Sequence, residues 1–162
     1  MPVQFHTALI NEDIFGTDPI NLSNFLSGDT YKTKIVLLHA GYPLFSNAKA
    51  MAMAARLQTV NNVYIDISGR IMMGNHPAII AKMLRDFLDI PALWDKIIYG
   101  SDALLGERYI LTCAQTGREA VYLAVSGMID DGIVDENTGI VIAKGILRNN
   151  AIKLYNMPFA KE

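Results

Sequence analysis

Four short apolar runs recur along this chain at nearly regular intervals, and each ends just before a turn. They span residues 2–6, 34–39, 63–68 and 96–102, so that successive ends lie 33, 29 and 34 residues apart. Residues 35–38 and 97–99 are apolar without alternation, which is typical of parallel strands covered on both faces. A (β/α)8 barrel uses about 31 residues for each strand and helix. The spacing therefore predicts an α/β fold of parallel βα units, in half the length of a barrel.

Helix signals lie between the runs. Residues 20–26, 48–57 and 78–88 have helical spacing or capping residues at their starts. Beyond Asp102 the sequence predicts two long helices, over residues 118–128 and 136–155. The apolar stripe expected for the second consists of Ile140, Ala143, Leu147, Ala151 and Leu154. No linker or low-complexity tract divides the chain, which predicts a single domain over residues 1–162.

Composition excludes several classes of protein. A hydrophobic content of 51% over 162 residues argues against disorder, and a net charge of −2 argues against nucleic-acid binding. The lone Cys113 excludes an internal disulfide and a cysteine-based zinc cluster, and it suits a reducing compartment. No apolar run approaches the roughly 20 residues that span a bilayer, and the first residues lack the features of a signal peptide. We therefore expect a cytoplasmic protein.

Three residues at the run ends are candidates for chemistry: His6, His39 and Asp102. In a βα barrel the carboxyl ends of the strands carry the active site, so these side chains are expected to lie on one rim. Imidazole and carboxylate groups together suit Zn²⁺, Mn²⁺, Fe²⁺ or Ni²⁺, which lower the pKa of a bound water. The alternative is that both histidines are ordinary strand-end residues with satisfied hydrogen bonds, and that Asp102 is a turn residue.

Four segments carry a resemblance to a known family. They are Pro-Val-Gln-Phe-His-Thr from residue 2, Val-Leu-Leu-His-Ala-Gly-Tyr-Pro from residue 36, Asn-Val-Tyr-Ile-Asp from residue 62 and Tyr-Gly-Ser-Asp-Ala from residue 99. Together they resemble strands five to eight of an amidohydrolase-superfamily TIM barrel. The closer likeness is to the single-metal branch and to the domain fused to glutamine-synthetase-like proteins. Residues 146–155 also resemble the helix that closes such barrels.

The resemblance implies roles for the three candidates. His6, His39 and Asp102 match the metal-site residues of the fifth, sixth and eighth strands, with zinc the expected ion. His39 is expected to bind metal or polarise the substrate, and Asp102 to bind metal and act as the base. The first-strand His-x-His pair of the family has no counterpart among the chain's histidines, His6, His39 and His76, and the fourth-strand ligand is missing too. We therefore expect weak or no metal binding by this chain alone.

Half a barrel needs a partner. Four parallel strands leave two open edges and an apolar inner face, which predicts a dimer or higher homo-oligomer, or a missing N-terminal half-barrel. A third possibility is an open sheet whose edges are covered by the last two helices.

The expected function is metal-dependent hydrolysis of a small molecule, with this chain incomplete as an enzyme. The alternatives are decarboxylation on the same scaffold, or a non-catalytic oligomerising or regulatory half-barrel. Three further residues carry two interpretations each. Asp66 either points at the site or is a hydrogen-bonded strand carboxylate, Arg70 either meets an anionic substrate or lies at the surface, and His76 is interpreted as a helix-capping or loop residue.

Overall fold

The computed structural model describes residues 1–7, 13, 15–26, 32–57, 62–103 and 106–158. Contacts between backbone atoms divide the chain into two compact units, Met1–Ile67 and Ser68–Glu162. The single domain expected over residues 1–162 stays a prediction. The first unit is built on a sheet and the second mainly on helices, which together confirm the α/β class.

The first unit contains three parallel strands in the order β1 (Val3–His6), β2 (Ile35–Leu38) and β3 (Val63–Ile67). Val3 pairs with Ile35, and Ile35 pairs with Val63. Every residue of β3 is buried, whereas β1 is mostly exposed and pairs with β2 on one side. The apolar faces of β2 and β3 are therefore covered within this chain, which removes the exposed inner face that the sequence suggested for these strands.

Two helical segments complete the first unit. A 3-10 helix spans Pro19–Leu26, and α1 spans Phe45–Leu57. Asp18 caps the first segment by accepting a hydrogen bond from the Ile20 backbone N–H at 3.0 Å, and its carboxylate also accepts bonds from the Asn47 amide at 2.7 and 2.9 Å. The buried face of α1 consists of three alanines and a methionine, Ala48, Met51, Ala52 and Ala55. Small side chains at helical spacing let α1 approach β3 closely.

The second unit begins with α2 (Arg70–Gly74) and α3 (Pro77–Leu88), followed by the short strand β4 (Ile97–Tyr99) and α4 (Glu107–Asp130). The His76 imidazole accepts a hydrogen bond from the Ala78 backbone N–H at 3.2 Å, which confirms its interpretation as a capping residue. The face of α3 that packs on α4 is fully apolar and consists of Ile80, Ala81, Met83, Leu84, Phe87 and Leu88.

The C-terminal helices differ from the sequence prediction in two respects. Helix α4 begins at Glu107, eleven residues before the expected start. The predicted last helix is divided into α5 (Glu136–Lys144), a π-helical segment (Gly145–Asn149) and α6 (Asn150–Tyr155). A π turn holds one residue more than an α turn, so it rotates the buried face. The predicted stripe is partly correct: Leu154 is buried as expected, but Ile140 is 44% exposed, and the buried positions also include Ile142, Ile146 and Asn150.

No helix within the described ranges is long and apolar enough to cross a lipid bilayer.

Candidate functional site

His6 and His39 lie side by side at the carboxyl ends of neighbouring strands. His6 is the last residue of β1 and pairs in register with Leu38, the last residue of β2, so that His39 follows one residue beyond. The two imidazole ring centroids are 4.7 Å apart, with the rings inclined at 61° in an edge-to-face arrangement. His39 is 4% exposed, whereas His6 is exposed to solvent. The sheet thus brings together two of the three candidate residues.

The turn after β2 has an unusual backbone. His39, Ala40 and Gly41 have φ angles of 61°, 51° and 68°, which place three successive residues in the left-handed region. Gly41 is required there for a second reason, since a Cβ atom at this position would lie 2.5 Å from Cγ of Pro19. Left-handed conformations cost free energy for residues with a side chain and are concentrated at functional sites. This turn fixes where the His39 imidazole leaves the strand.

A hydroxyl group ties the ends of β1 and β2 together. Thr7 is 2% exposed, and its Oγ1 donates a 2.7 Å hydrogen bond to the backbone carbonyl of Leu38. Thr7 follows His6 and Leu38 precedes His39, so this bond joins the residues beside the two histidines. A short buried hydrogen bond of this kind restricts the relative movement of the two strand ends.

Asp66 is a third polar group of the same unit. It lies inside β3, is 5% exposed, and its Oδ2 accepts a long hydrogen bond of 3.4 Å from the His39 backbone N–H. The observation favours the interpretation of Asp66 as a hydrogen-bonded strand carboxylate and also places it beside the His39 backbone. The sequence signal for this role was a carboxylate within an otherwise apolar strand, because a buried charge requires partners. Sequence analysis left both interpretations open.

Asp102 belongs to the second unit, where it follows β4 with a φ angle of 50°. Its negative charge affects the ionisation of Cys113, a buried residue of α4. The pKa of the Cys113 thiol is raised above 9.0, first by burial and second by the negative charge of Asp102. Convergence of Asp102 with the two histidines stays a prediction. The side chain of Arg70 lies outside the described part of the chain.

A divalent metal ion needs several ligand side chains placed close together. A catalytic zinc site uses three protein ligands and keeps one position open. Over the ranges of residues that the structure describes, no group of three or more His, Cys, Asp and Glu side chains is arranged to hold a metal ion. The His6 and His39 imidazoles make a pair rather than a triad. The described residues therefore do not form a complete metal site by themselves.

Comparison with known proteins gives the family. The family model described as amidohydrolase matches residues 1–157, and this chain therefore belongs to the amidohydrolase family. No curated protein and no solved structure matches the chain significantly. Membership of this family supports a hydrolase-like function.

Proposed function

We propose that this chain contributes half of the active site of a hydrolase that cleaves a C–N or C–O bond of a small molecule. The observation that carries the proposal is the contact between the His6 and His39 imidazoles at the ends of neighbouring parallel strands. Polar side chains at strand ends are where βα enzymes place their chemistry. The match of the amidohydrolase family over residues 1–157 supports a hydrolase-like reaction.

The buried imidazole of His39 is proposed to bind the reacting carbonyl group. A neutral imidazole offers one N–H donor and one acceptor nitrogen, and a donor aimed at the carbonyl oxygen stabilises the negative charge that develops as water attacks. The left-handed turn and the Thr7 hydrogen bond support this role by holding the imidazole in place. Asp102 is proposed as the base that removes a proton from the attacking water.

In the alternative role for His39, it and His6 are proposed as two ligands of a divalent metal ion, with zinc as the preferred ion. Because the described donor set is incomplete, the remaining ligands would come from another polypeptide, either an N-terminal half-barrel or a second copy of this chain. A bound ion of this kind supplies Lewis acidity towards water and carbonyl oxygen. The location is proposed as the cytoplasm, in keeping with the free thiol of Cys113.

The exposed strand β1 is the proposed place of contact with that polypeptide. Within the described residues it pairs with β2 on one side, and Val3 is 43% exposed. β1 is the edge strand of the described sheet order, and another chain can add a strand at such an edge. Sedimentation equilibrium at low micromolar concentration tests this proposal, and a 17.9 kDa monomer at all concentrations would contradict the homo-oligomer.

Zinc titration calorimetry of the purified chain tests the histidine pair. His6→Ala and His39→Ala are each expected to weaken zinc binding by about 10-fold to 100-fold, the scale found for groups that support metal sites. The matched control is His76→Ala, since His76 is the third histidine of the chain and caps α3 in the second unit. Equal effects of all three substitutions would contradict the site. One tightly held zinc per chain after chelator dialysis would contradict the incomplete ligand set.

A non-catalytic role is the second candidate, and the incomplete donor set favours it. The two candidates differ in the activity of the full assembly. Hydrolysis of an amide, ester and lactone panel that depends on added zinc and is lost in His39→Ala supports the enzyme. An assembly that contains zinc at full occupancy and hydrolyses none of these substrates supports the non-catalytic role.

A further inference from the structure

A cleft of about 410 Å3 opens in the second unit, at the end of β4 opposite to the end that Asp102 follows. Trp94, Val141, Ile142 and Gly145 form much of its lining, and Asp95 and Asn150 add polar groups. Small-molecule sites have volumes of about 300 to 1,000 Å3 and combine an apolar lining with few polar groups. This cleft meets both criteria and lies apart in sequence from the histidine pair.

Asn137 and Thr138 also line the cleft, and two other hydrogen-bond donors of the lining are already used by the protein. The Trp94 indole N–H donates to the carbonyl of Leu88 at 2.9 Å. The Asn150 amide nitrogen donates to the carbonyls of Trp94 and Ile97, at 2.9 and 2.8 Å. Trp94 therefore offers its ring surface to a ligand, and Asn150 offers no further N–H. A ligand that carries its own donor therefore suits the Trp94 and Asn150 part of the lining.

Among the described residues, Asp95 is the charged side chain that lines the cleft. Asp95 lines the cleft with a side chain that is 49% exposed, and its carboxylate lies 3.3 Å from the Lys96 ammonium group. The Lys96 side chain is 6% exposed and is not part of the lining. The charged group that a ligand meets is thus the Asp95 carboxylate. A cation bound there has a carboxylate and an indole ring nearby, and both attract positive charge.

We propose that this cleft binds a small organic amine. The apolar body of the ligand, best an aromatic ring, lies against Trp94, Val141 and Ile142. The protonated amine lies beside the Asp95 carboxylate. This site is separate from the proposed hydrolytic function and does not depend on it.

Trp94 makes the test direct, because it is the one tryptophan of the chain and lines the cleft. The probe is 2-phenylethylamine, titrated while indole fluorescence is recorded and corrected with free N-acetyltryptophanamide. Saturable change with the amine is expected. The neutral 2-phenylethanol is expected to bind about threefold to fivefold more weakly, the range of an exposed ion pair, and 3-phenylpropionate to bind more weakly still. Equal binding of all three probes, or no saturation with the amine by about 10 mM, would overturn the proposal.

Two variants locate the binding. Asp95→Asn is expected to bind the amine about threefold to fivefold more weakly and to leave binding of the alcohol unchanged. Val141→Arg places a long cation in the cleft and is expected to abolish amine binding. Val141 is 69% exposed, so the substitution leaves the core intact, and Ile140→Arg on the same helix is the matched control at a residue outside the lining. Retained binding in Val141→Arg, or equal loss in Ile140→Arg, would overturn the proposed location.

Discussion

The two units hold their important side chains by different means. In the first unit, hydrogen bonds to the backbone hold the candidate site: Thr7 bonds to the Leu38 carbonyl, and Asp66 accepts from the His39 N–H. In the second unit, α3 packs extensively on α4, and Phe87 and Leu84 of α3 are fully buried. The first arrangement fixes direction, because hydrogen bonds are directional, and the second supplies most of its stabilisation without directional bonds.

This contrast predicts different sensitivities. Substitutions in the second unit are expected to act on the free energy of unfolding in proportion to lost apolar contact. Substitutions of polar groups in the first unit are expected to cost less stability and to alter the placement of the histidines.

Phe87→Ala is expected to have the largest effect. Phe87 belongs to α3, and its side chain is fully buried. Truncation of a buried phenylalanine typically lowers the free energy of unfolding by about 3 to 5 kcal/mol. Ile79→Ala on the same helix is the control, because Ile79 is 52% exposed and its loss is expected to cost less than about 0.5 kcal/mol. Urea unfolding measures both. A loss below about 1 kcal/mol for Phe87→Ala would show that this helix pair does not dominate the unit.

Gly117→Ala is expected to cost about 1 to 2 kcal/mol. A Cβ atom at this position in α4 would lie 2.6 Å from Cε2 of Tyr99, and the steric cost exceeds the gain in helix propensity. Gly127 of the same helix is the matched control. A Cβ there would meet the end of the flexible Arg85 side chain, also at 2.6 Å, which moves at little cost. Thermal unfolding that ranks Gly127→Ala below Gly117→Ala would contradict the packing argument.

Thr7→Val tests the contribution of a single hydrogen bond in the first unit. The variant keeps the shape of the side chain and removes the buried bond to the Leu38 carbonyl, at an expected cost of about 1 kcal/mol. Thr112→Val is the control, because its hydroxyl donates to the Arg108 carbonyl on an exposed face of α4. A changed chemical shift of the His6 and His39 ring protons in Thr7→Val alone would show that the hydroxyl positions the pair. Unchanged shifts would indicate that the strands hold the histidines without it.

The smallest effect is expected from pH. Hydrogen bonds from the backbone and side chain of Thr138 lower the pKa of the Asp135 carboxyl below 3.8, and Asp135 caps α5. Since the pKa is lower in the folded state, this stabilisation is present above pH 3.8 and is lost as the pH falls through the folded value. Asp135→Asn keeps a good capping residue without the titration. The two proteins should unfold at similar temperatures at neutral pH, and the protein with Asp135 should lose more stability in acid than Asp135→Asn. Identical acid profiles would contradict the assignment.

The sequence was sufficient to predict which side chains lie at the ends of neighbouring strands. Parallel strands have their carboxyl ends at one edge, so His6 and His39 were expected to be neighbours, and they are. The role of Asp66 was not resolved, because its partner is a backbone N–H on the adjacent strand, 27 residues away in sequence. Long-range pairing of this kind leaves no local pattern.

The errors in the helices predicted from the sequence have different causes. The first half of α4 carries exposed apolar residues, Ile110 and Leu111 at 51% and 60%, so it has no amphipathic stripe to indicate its start. The stripe of the last helix was displaced by the π-helical segment. Its buried face at Asn150 depends on hydrogen bonds to the Trp94 and Ile97 carbonyls, more than 50 residues earlier.

The left-handed turn at residues 39–41 has a consequence for the handedness of the amino acids that suit it. Ala40 is an L-residue with a φ angle of 51°, where each L side chain costs about 1 to 2 kcal/mol relative to its right-handed counterpart. A D-amino acid has the mirror-image preference. Chemical ligation of a chain with D-alanine at position 40 would therefore relieve strain there, whereas L-valine or L-isoleucine at the same position would increase it. Position 40 of this turn is therefore sensitive to the chirality of its residue as well as to the size of its side chain, which is fully buried.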